Sequence, residues 1–259
     1  MRFSKWHALG NSYLLVEEQA DADLVQLLCD VRYGIGSDGV LAVDGNEVTI
    51  WNPDGSRAEF SGNGTRIAAA WLARRDEADE VTVTVGGRRY PARVRDGLVE
   101  LDVGAVDVGE TQTLELPAEC VEVTVVSVGN PHAVLRREPA RDDLVRLGPL
   151  IEVHPRFPDR TNVQLVRVDG PRELTAVVWE RGAGETSASG SSAVAVAAAA
   201  VANGWCESPV TVRMPGGSLE VGLDAHGSAT LTGPAVEIAR GDVFLGRVFL
   251  GRGLVGEVP

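Results

Sequence analysis

The sequence predicts an α+β fold in two pseudo-symmetric halves with a cleft between them, and three observations carry that reading. Two turns look alike: Ser61-Gly62-Asn63-Gly64-Thr65 before the apolar run Ile67 to Leu72, and Ser189-Gly190-Ser191-Ser192 before the run Ala193 to Ala202. Asn52 stands nine residues before Ser61 and Glu180 nine residues before Ser189, each where a strand pattern ends. Finally, the order of strand, Gly-containing loop and helix recurs in both halves. Each turn sets a hydroxyl and a glycine at a helix start, where unpaired N–H groups and the positive dipole end favour an anion. Two such starts facing each other could hold one carboxylate and address one carbon from two faces.

The elements follow in order. Residues 1–17 alternate as a strand, turn at Gly10-Asn11-Ser12, and continue as a strand from Tyr13 to Val16. Leu24, Leu27, Leu28 and Val31 recur at helical spacing over 21–32. Strands are expected at 39–43 and 47–52, closed by the turn Asn52-Pro53-Asp54-Gly55. The first Ser-Gly helix is expected to reach Arg75, followed by short strands over 81–103. The second half starts with a strand at Val121–Val128 and the turn Gly129-Asn130-Pro131-His132. A short helix at 141–147 and strands at 162–168 and 173–179 come next. The second Ser-Gly helix closes on Asn203-Gly204, a C-cap pair, and strands at 209–213 and 218–222 finish the half. The organisation expected is 1–115 as one half, 116–235 as the other, and 236–259 returning to the first.

Composition narrows the function. The 259 residues carry a formal charge of −13, which disfavours nucleic acid, and no apolar run reaches membrane-spanning length. With a start that lacks the apolar stretch of a signal peptide, the chain reads as soluble and cytoplasmic. Cys29, Cys120 and Cys206 form no C-x-x-C pair, and the four histidines show no metal-ligand spacing, so no metal is expected. Lys5 is the only lysine among 24 cations and sits in the N-terminal strand, which argues against pyridoxal phosphate chemistry. Gly34-Ile35-Gly36-Ser37-Asp38-Gly39 matches a dinucleotide pattern, but a helix precedes it and a strand follows, the reverse of what that motif needs. Neither Ser61 nor Ser189 lies in the G-x-S-x-G turn of a serine hydrolase.

Eight blocks then stand in order: Phe3 to Asn11, Gly34 to Gly39, Asn52 to Ser56, Gly62 to Gly64, Gly129 to His132, Arg156 to Asn162, Glu180 to Thr186 and Pro215 to Ser218. Through these blocks, and nearly end to end, the chain resembles the diaminopimelate epimerase family. The resemblance implies two matching halves, each a mostly antiparallel sheet wrapped around a central helix. It also implies cofactor-independent epimerisation, with LL- and meso-diaminopimelate interconverted by two-base proton transfer at the α-carbon. The family's two catalytic cysteines fall on Ser61 and Ser189, with His132 and Glu180 beside the reacting centre to activate them. By the same resemblance Asn52, Asn130, Asn162 and Arg181 hold the distal end of the substrate. Gly62, Asn63, Gly190 and Ser191 bind the α-carboxylate, and Asn11 lines the pocket. The expected partner is a small amino acid, with no cofactor, no nucleic acid and no membrane; a homodimer is compatible.

A thiol can be brought to thiolate near neutrality at a helix N-terminus, whereas a hydroxyl is a far weaker acid. Both replacements are therefore expected to cost much of the activity unless a neighbour activates the serines. Ser12, Gly39, Ser192 and Val194 are further departures and read as divergence of the chain as a whole. The alternatives are an amino-acid-binding pseudoenzyme, or a racemase or lyase acting on another amino acid.

Overall fold

In the computed structural model, which describes residues 1–244, the strands form one continuous sheet whose two halves share the same plan. The first half contains β1 (Arg2–Ala8), β2 (Asn11–Val16), α1 (Ala22–Cys29), β3 (Val40–Asp44), β4 (Glu47–Trp51), β5 (Arg57–Ala58), α2 (Gly62–Arg75), β6 (Glu80–Val85), β7 (Arg88–Arg95) and β8 (Leu98–Ala105). The second contains β9 (Asp107–Glu115), β10 (Cys120–Ser127), β11 (Pro131–Arg136), α3 (Arg141–Glu152), β12 (Asn162–Gly170), β13 (Glu173–Glu180), β14 (Gly184–Thr186), α4 (Gly190–Ala202), β15 (Val210–Met214), β16 (Gly217–Leu223) and β17 (Ser228–Pro234). The final described strand, β18 (Val236–Asp242), pairs back onto β1.

The pairing signs repeat strand for strand. β1–β2 is antiparallel, β2–β3 parallel, β3–β4 antiparallel, β4–β6 parallel, and β6–β7–β8 antiparallel. The second half reads the same way through β10–β11, β11–β12, β12–β13, β13–β15 and β15–β16–β17. β18 against β1 corresponds to β9 against β10. The expected α+β plan of two pseudo-symmetric halves is therefore the observed one. β9 pairs with β10 along nearly its whole length. Antiparallel pairing of β8 with β17 joins the halves. The returning segment's residues 245–259 lie outside the described residues.

The physics of each half centres on its long helix. In α4 every residue from Gly190 to Ala200 is buried, and their small side chains let strands approach from all sides. α2 buries ten residues, including the charged Arg66. Both helices belong to one core that β-branched strand residues complete from both halves. A second cluster packs α3 on β10 to β13. α3 runs to Glu152, past the 147 expected from sequence, because Leu147 and Ile151 are buried and their packing outweighs the break signalled by Gly148-Pro149. The Asn203-Gly204 stop is as expected, with Asn203 as C-cap and Gly204 at φ +68°.

Candidate active site

The starts of α2 and α4 meet. A Cβ built on Gly62 would lie 2.9 Å from the Gly190 Cα, and a Cβ on Gly190 would lie 2.9 Å from the Gly62 Cα. Only glycine at both positions permits that approach. Leu231 of β17 closes the contact, with its Cδ2 within 3.2 Å of both built positions. The α2 start is also tied to the α4 loop, since Asn63 Nδ2 donates to the Ala188 carbonyl at 3.2 Å and to Asn11 Oδ1 at 3.3 Å. Gly62, Asn63, Gly190 and Ser191 are thereby drawn into one buried place, with Asn11 beside it.

The two serines occupy equivalent N-cap positions but have different partners. Ser61 Oγ accepts the Gly64 N–H at 3.1 Å, an ordinary cap, and shares a hydrogen bond of 3.1 Å with the Tyr13 hydroxyl. Ser189 makes no side-chain cap; its hydroxyl donates to Glu180 Oε2 at 3.2 Å and lies 3.5 Å from Ser191 Oγ. Burial raises the Glu180 carboxyl above the usual carboxylate range, while the neighbouring Thr186 and Ser189 hydroxyls pull it down. Burial also pushes the Tyr13 phenol up to about 12, with the negative charge of Glu180 adding to the effect. The partners of both serines thus feel each other.

His132 is fully buried on β11, with Nε2 3.0 Å from Asn130 Oδ1 and Nδ1 3.0 Å from Gln164 Nε2. Gln164 also donates to Ser192 Oγ at 3.0 Å. A neutral ring with its proton on Nε2 satisfies both contacts. Burial, followed by the positive charge of Arg181, pushes its pKa down to about 3. Both ring nitrogens are occupied by amides, so among the described residues His132 hydrogen-bonds to neither serine. Glu180 reaches its serine; for Ser61 the neighbouring group is Tyr13.

A cavity of about 500 Å³ between the halves is lined by Asn52, Asn130, Asn162, Glu180 and Arg181, together with Arg57, Arg88 and Tyr90. It gathers the expected distal-end residues and meets the buried helix starts at Glu180. Asn162 holds its own wall in place: Nδ2 donates to the Pro131 carbonyl at 2.9 Å and Oδ1 accepts the Arg181 N–H at 3.0 Å. Glu152 at the end of α3 fixes the turn after Glu180, accepting from Gly182 N at 2.9 Å and Trp179 Nε1 at 2.7 Å and pairing with Arg160.

Sequence reasoning did not single out Tyr13, Gln164, Glu152 or Arg66. The last is wholly buried, with Nη1 donating to the Gly62 carbonyl at 3.0 Å and Nη2 to Asn63 Oδ1 at 2.7 Å. Among the described residues it has no carboxylate partner, and its Nε is unpaired. Burial lowers its pKa to about 10, which leaves it charged at neutral pH. Its position four residues into the helix that opens on the Ser61-Gly62 turn is the signal that would have found it.

The family model described as diaminopimelate epimerase matches residues 3–112 and 124–238. A diaminopimelate epimerase of Synechococcus sp. strain JA-2-3B'a(2-13) is 38% identical over 278 residues, covering 93% of this chain and 97% of that protein. The diaminopimelate epimerase of Carboxydothermus hydrogenoformans is 35% identical over 274 residues, covering 95% and 100%. Among solved structures, a predicted epimerase from Pseudomonas aeruginosa superposes with a TM-score of 0.69 at 20% identity, covering 95% of this chain and 99% of that one. A hydroxyproline epimerase from Agrobacterium vitis gives 0.68 at 16% identity, covering 94% and 90%. These two likenesses show the shared fold.

Proposed function

Because the chain belongs to the diaminopimelate epimerase family, an isomerase family that works without pyridoxal phosphate, we propose that it moves the α-proton of diaminopimelate and interconverts the LL and meso forms. The product would serve lysine and cell-wall precursor synthesis. The observation that carries this reading is the Gly62–Gly190 contact, which brings together the starts of α2 and α4, each with a serine at its N-cap. There the α-carboxylate meets backbone N–H groups from both halves, with the charge of Arg66 behind them. Asn52, Asn130, Asn162 and Arg181 line the cavity that receives the distal end. Ser189, hydrogen-bonded to the Glu180 carboxylate, removes the proton on one face, and Ser61 returns one on the other.

The test is deuterium incorporation at the α-carbon of LL-diaminopimelate in D₂O, read by mass spectrometry. Exchange above background is expected in the unaltered chain. Ser61→Cys/Ser189→Cys should raise it by about 100-fold or more, since a thiol supplies a proton-transfer group matched to neutral pH. Absence of exchange in both chains would overturn the reading. Tight calorimetric binding of diaminopimelate without exchange in the unaltered chain would mark it as a binder.

A further inference from the structure

Resting on the epimerase reading above, we infer that Tyr13 is the proton source behind Ser61, so the two faces of the reacting carbon are served by unlike pairs: Glu180–Ser189 on one and Tyr13–Ser61 on the other. Tyr13 lies on β2, buried, with its hydroxyl 3.1 Å from Ser61 Oγ. The ring is held from behind: a Cβ on Gly39 would come within 2.6 Å of Tyr13 Cε1, so the absence of a side chain there makes room for the ring. The charged and titratable groups acting on the phenol are Glu180 from β13, Asp38 from the loop before β3, and Cys29 from α1. No cation is among them, so the phenol rests protonated at neutral pH. Glu180, by contrast, already accepts the Ser189 proton in a hydrogen bond. The resting site therefore has a base on one side and an acid on the other.

The proton inventory closes without a co-reactant. Ser189 Oγ takes the α-proton as its own proton passes to Glu180, breaking one C–H bond. The carbanion takes the Ser61 proton on the opposite face, forming one C–H bond, and Ser61 takes the Tyr13 proton. One proton has then moved from Tyr13 to Glu180, and exchange with water, or a turnover in the reverse direction, restores the start. The Gly64 N–H on Ser61 Oγ, at 3.1 Å, and the α2 dipole stabilise negative charge that develops on that side. Tyr13 touches Ser61 rather than the reacting atoms and is a positioning and proton-supplying residue.

The test is Tyr13→Phe, which removes one oxygen and keeps the ring, made in the unaltered chain and in Ser61→Cys. In the unaltered chain, deuterium exchange into LL-diaminopimelate should fall by about 100-fold while calorimetric affinity for meso-diaminopimelate changes by less than about twofold. In the Ser61→Cys chain the same change should cost at least about fivefold less, because a thiol carries its own transferable proton. Equal losses in both chains, or a loss of affinity that matches the loss of exchange, would show a structural role and overturn the inference. So would undiminished exchange in Tyr13→Phe. If the unaltered chain exchanges nothing, the relay through Tyr13 is refuted. Exchange by Ser61→Cys/Ser189→Cys then decides separately whether the epimerase reading survives.

Discussion

Gly62→Ala places a methyl group against the backbone of the opposite helix, 2.9 Å from the Gly190 Cα and 3.3 Å from its carbonyl carbon. Carbon atoms pack best at about 3.5–4.0 Å, so the two helix starts must separate by roughly 0.6 Å or more. Neither side can yield by turning a side chain, because the obstacle is backbone. Overpacking of this kind costs about 1–3 kcal/mol, offset by about 0.4–1 kcal/mol from stiffening the unfolded chain. A net loss of about 1–2 kcal/mol lowers Tm by roughly 2–8 °C for a domain of this size. Displacing the carboxylate cradle by half an ångström should also cost about tenfold or more in diaminopimelate affinity or exchange, since a shift of about 1 Å can cost 100-fold. Differential scanning calorimetry and titration calorimetry read the two effects. Gly109→Ala is the control, because its Cβ would meet nothing closer than 3.4 Å. If Gly62→Ala matches the control in both Tm and affinity, the helix starts do not form a shared cradle.

His132 is neutral in the folded chain, with a pKa of about 3 against about 6.5 when unfolded, so below pH 6.5 the unfolded chain binds the extra proton. Stability from this group is complete above pH 6.5 and is lost as pH falls toward 3, at up to about 1.4 kcal/mol per pH unit. His132→Asn should therefore flatten the pH dependence of urea-denaturation free energy between pH 6.5 and 4 while lowering its value at pH 7.5; an unchanged slope would contradict the buried neutral ring. Arg66→Met removes the buried cation, whose attraction for a bound carboxylate is about 1–2 kcal/mol at the effective dielectric of such sites. The variant should bind diaminopimelate about tenfold more weakly by calorimetry, and unchanged affinity would show that the charge does not reach the ligand.

How much of this was legible depended on whether the signal was local. The paired Ser-Gly turns, the nine-residue spacings and the helical pattern of α2 and α4 are written in contiguous residues, and the architecture followed from them. β17 has a partner far away in sequence: beside its neighbour β16 it pairs with β8. Nothing in Asp107–Glu115 itself says that it belongs with β10 rather than β8. The end of α3 was hidden because Gly148-Pro149 signals a stop that the burial of Ile151 overrides. The pocket asparagines and Arg181 stand out only through the family resemblance, because an asparagine at a turn or at the start of a strand such as β12 has no chemistry that marks it by itself. Tyr13 and Gln164 looked like ordinary strand residues, because what distinguishes them is a partner 48 or 28 positions away, Ser61 or Ser192.

The pseudo-symmetry of the halves stops at the two serines, and the reason is local. Ser61 has its oxygen engaged by the Gly64 N–H, so it behaves as an N-cap that shares a further hydrogen bond with the Tyr13 hydroxyl. Ser189 makes no such cap, which leaves its hydroxyl proton directed at Glu180. An equal pair of thiols could exchange roles between turnovers, since either can be acid or base near neutrality. Two serines cannot do this by themselves, and in the proposed relay the groups behind them divide the work: a carboxylate accepts, a phenol donates. In the proposed relay the side chains that set the direction of proton flow are therefore Glu180 and Tyr13, with the serines carrying the proton between them and the substrate.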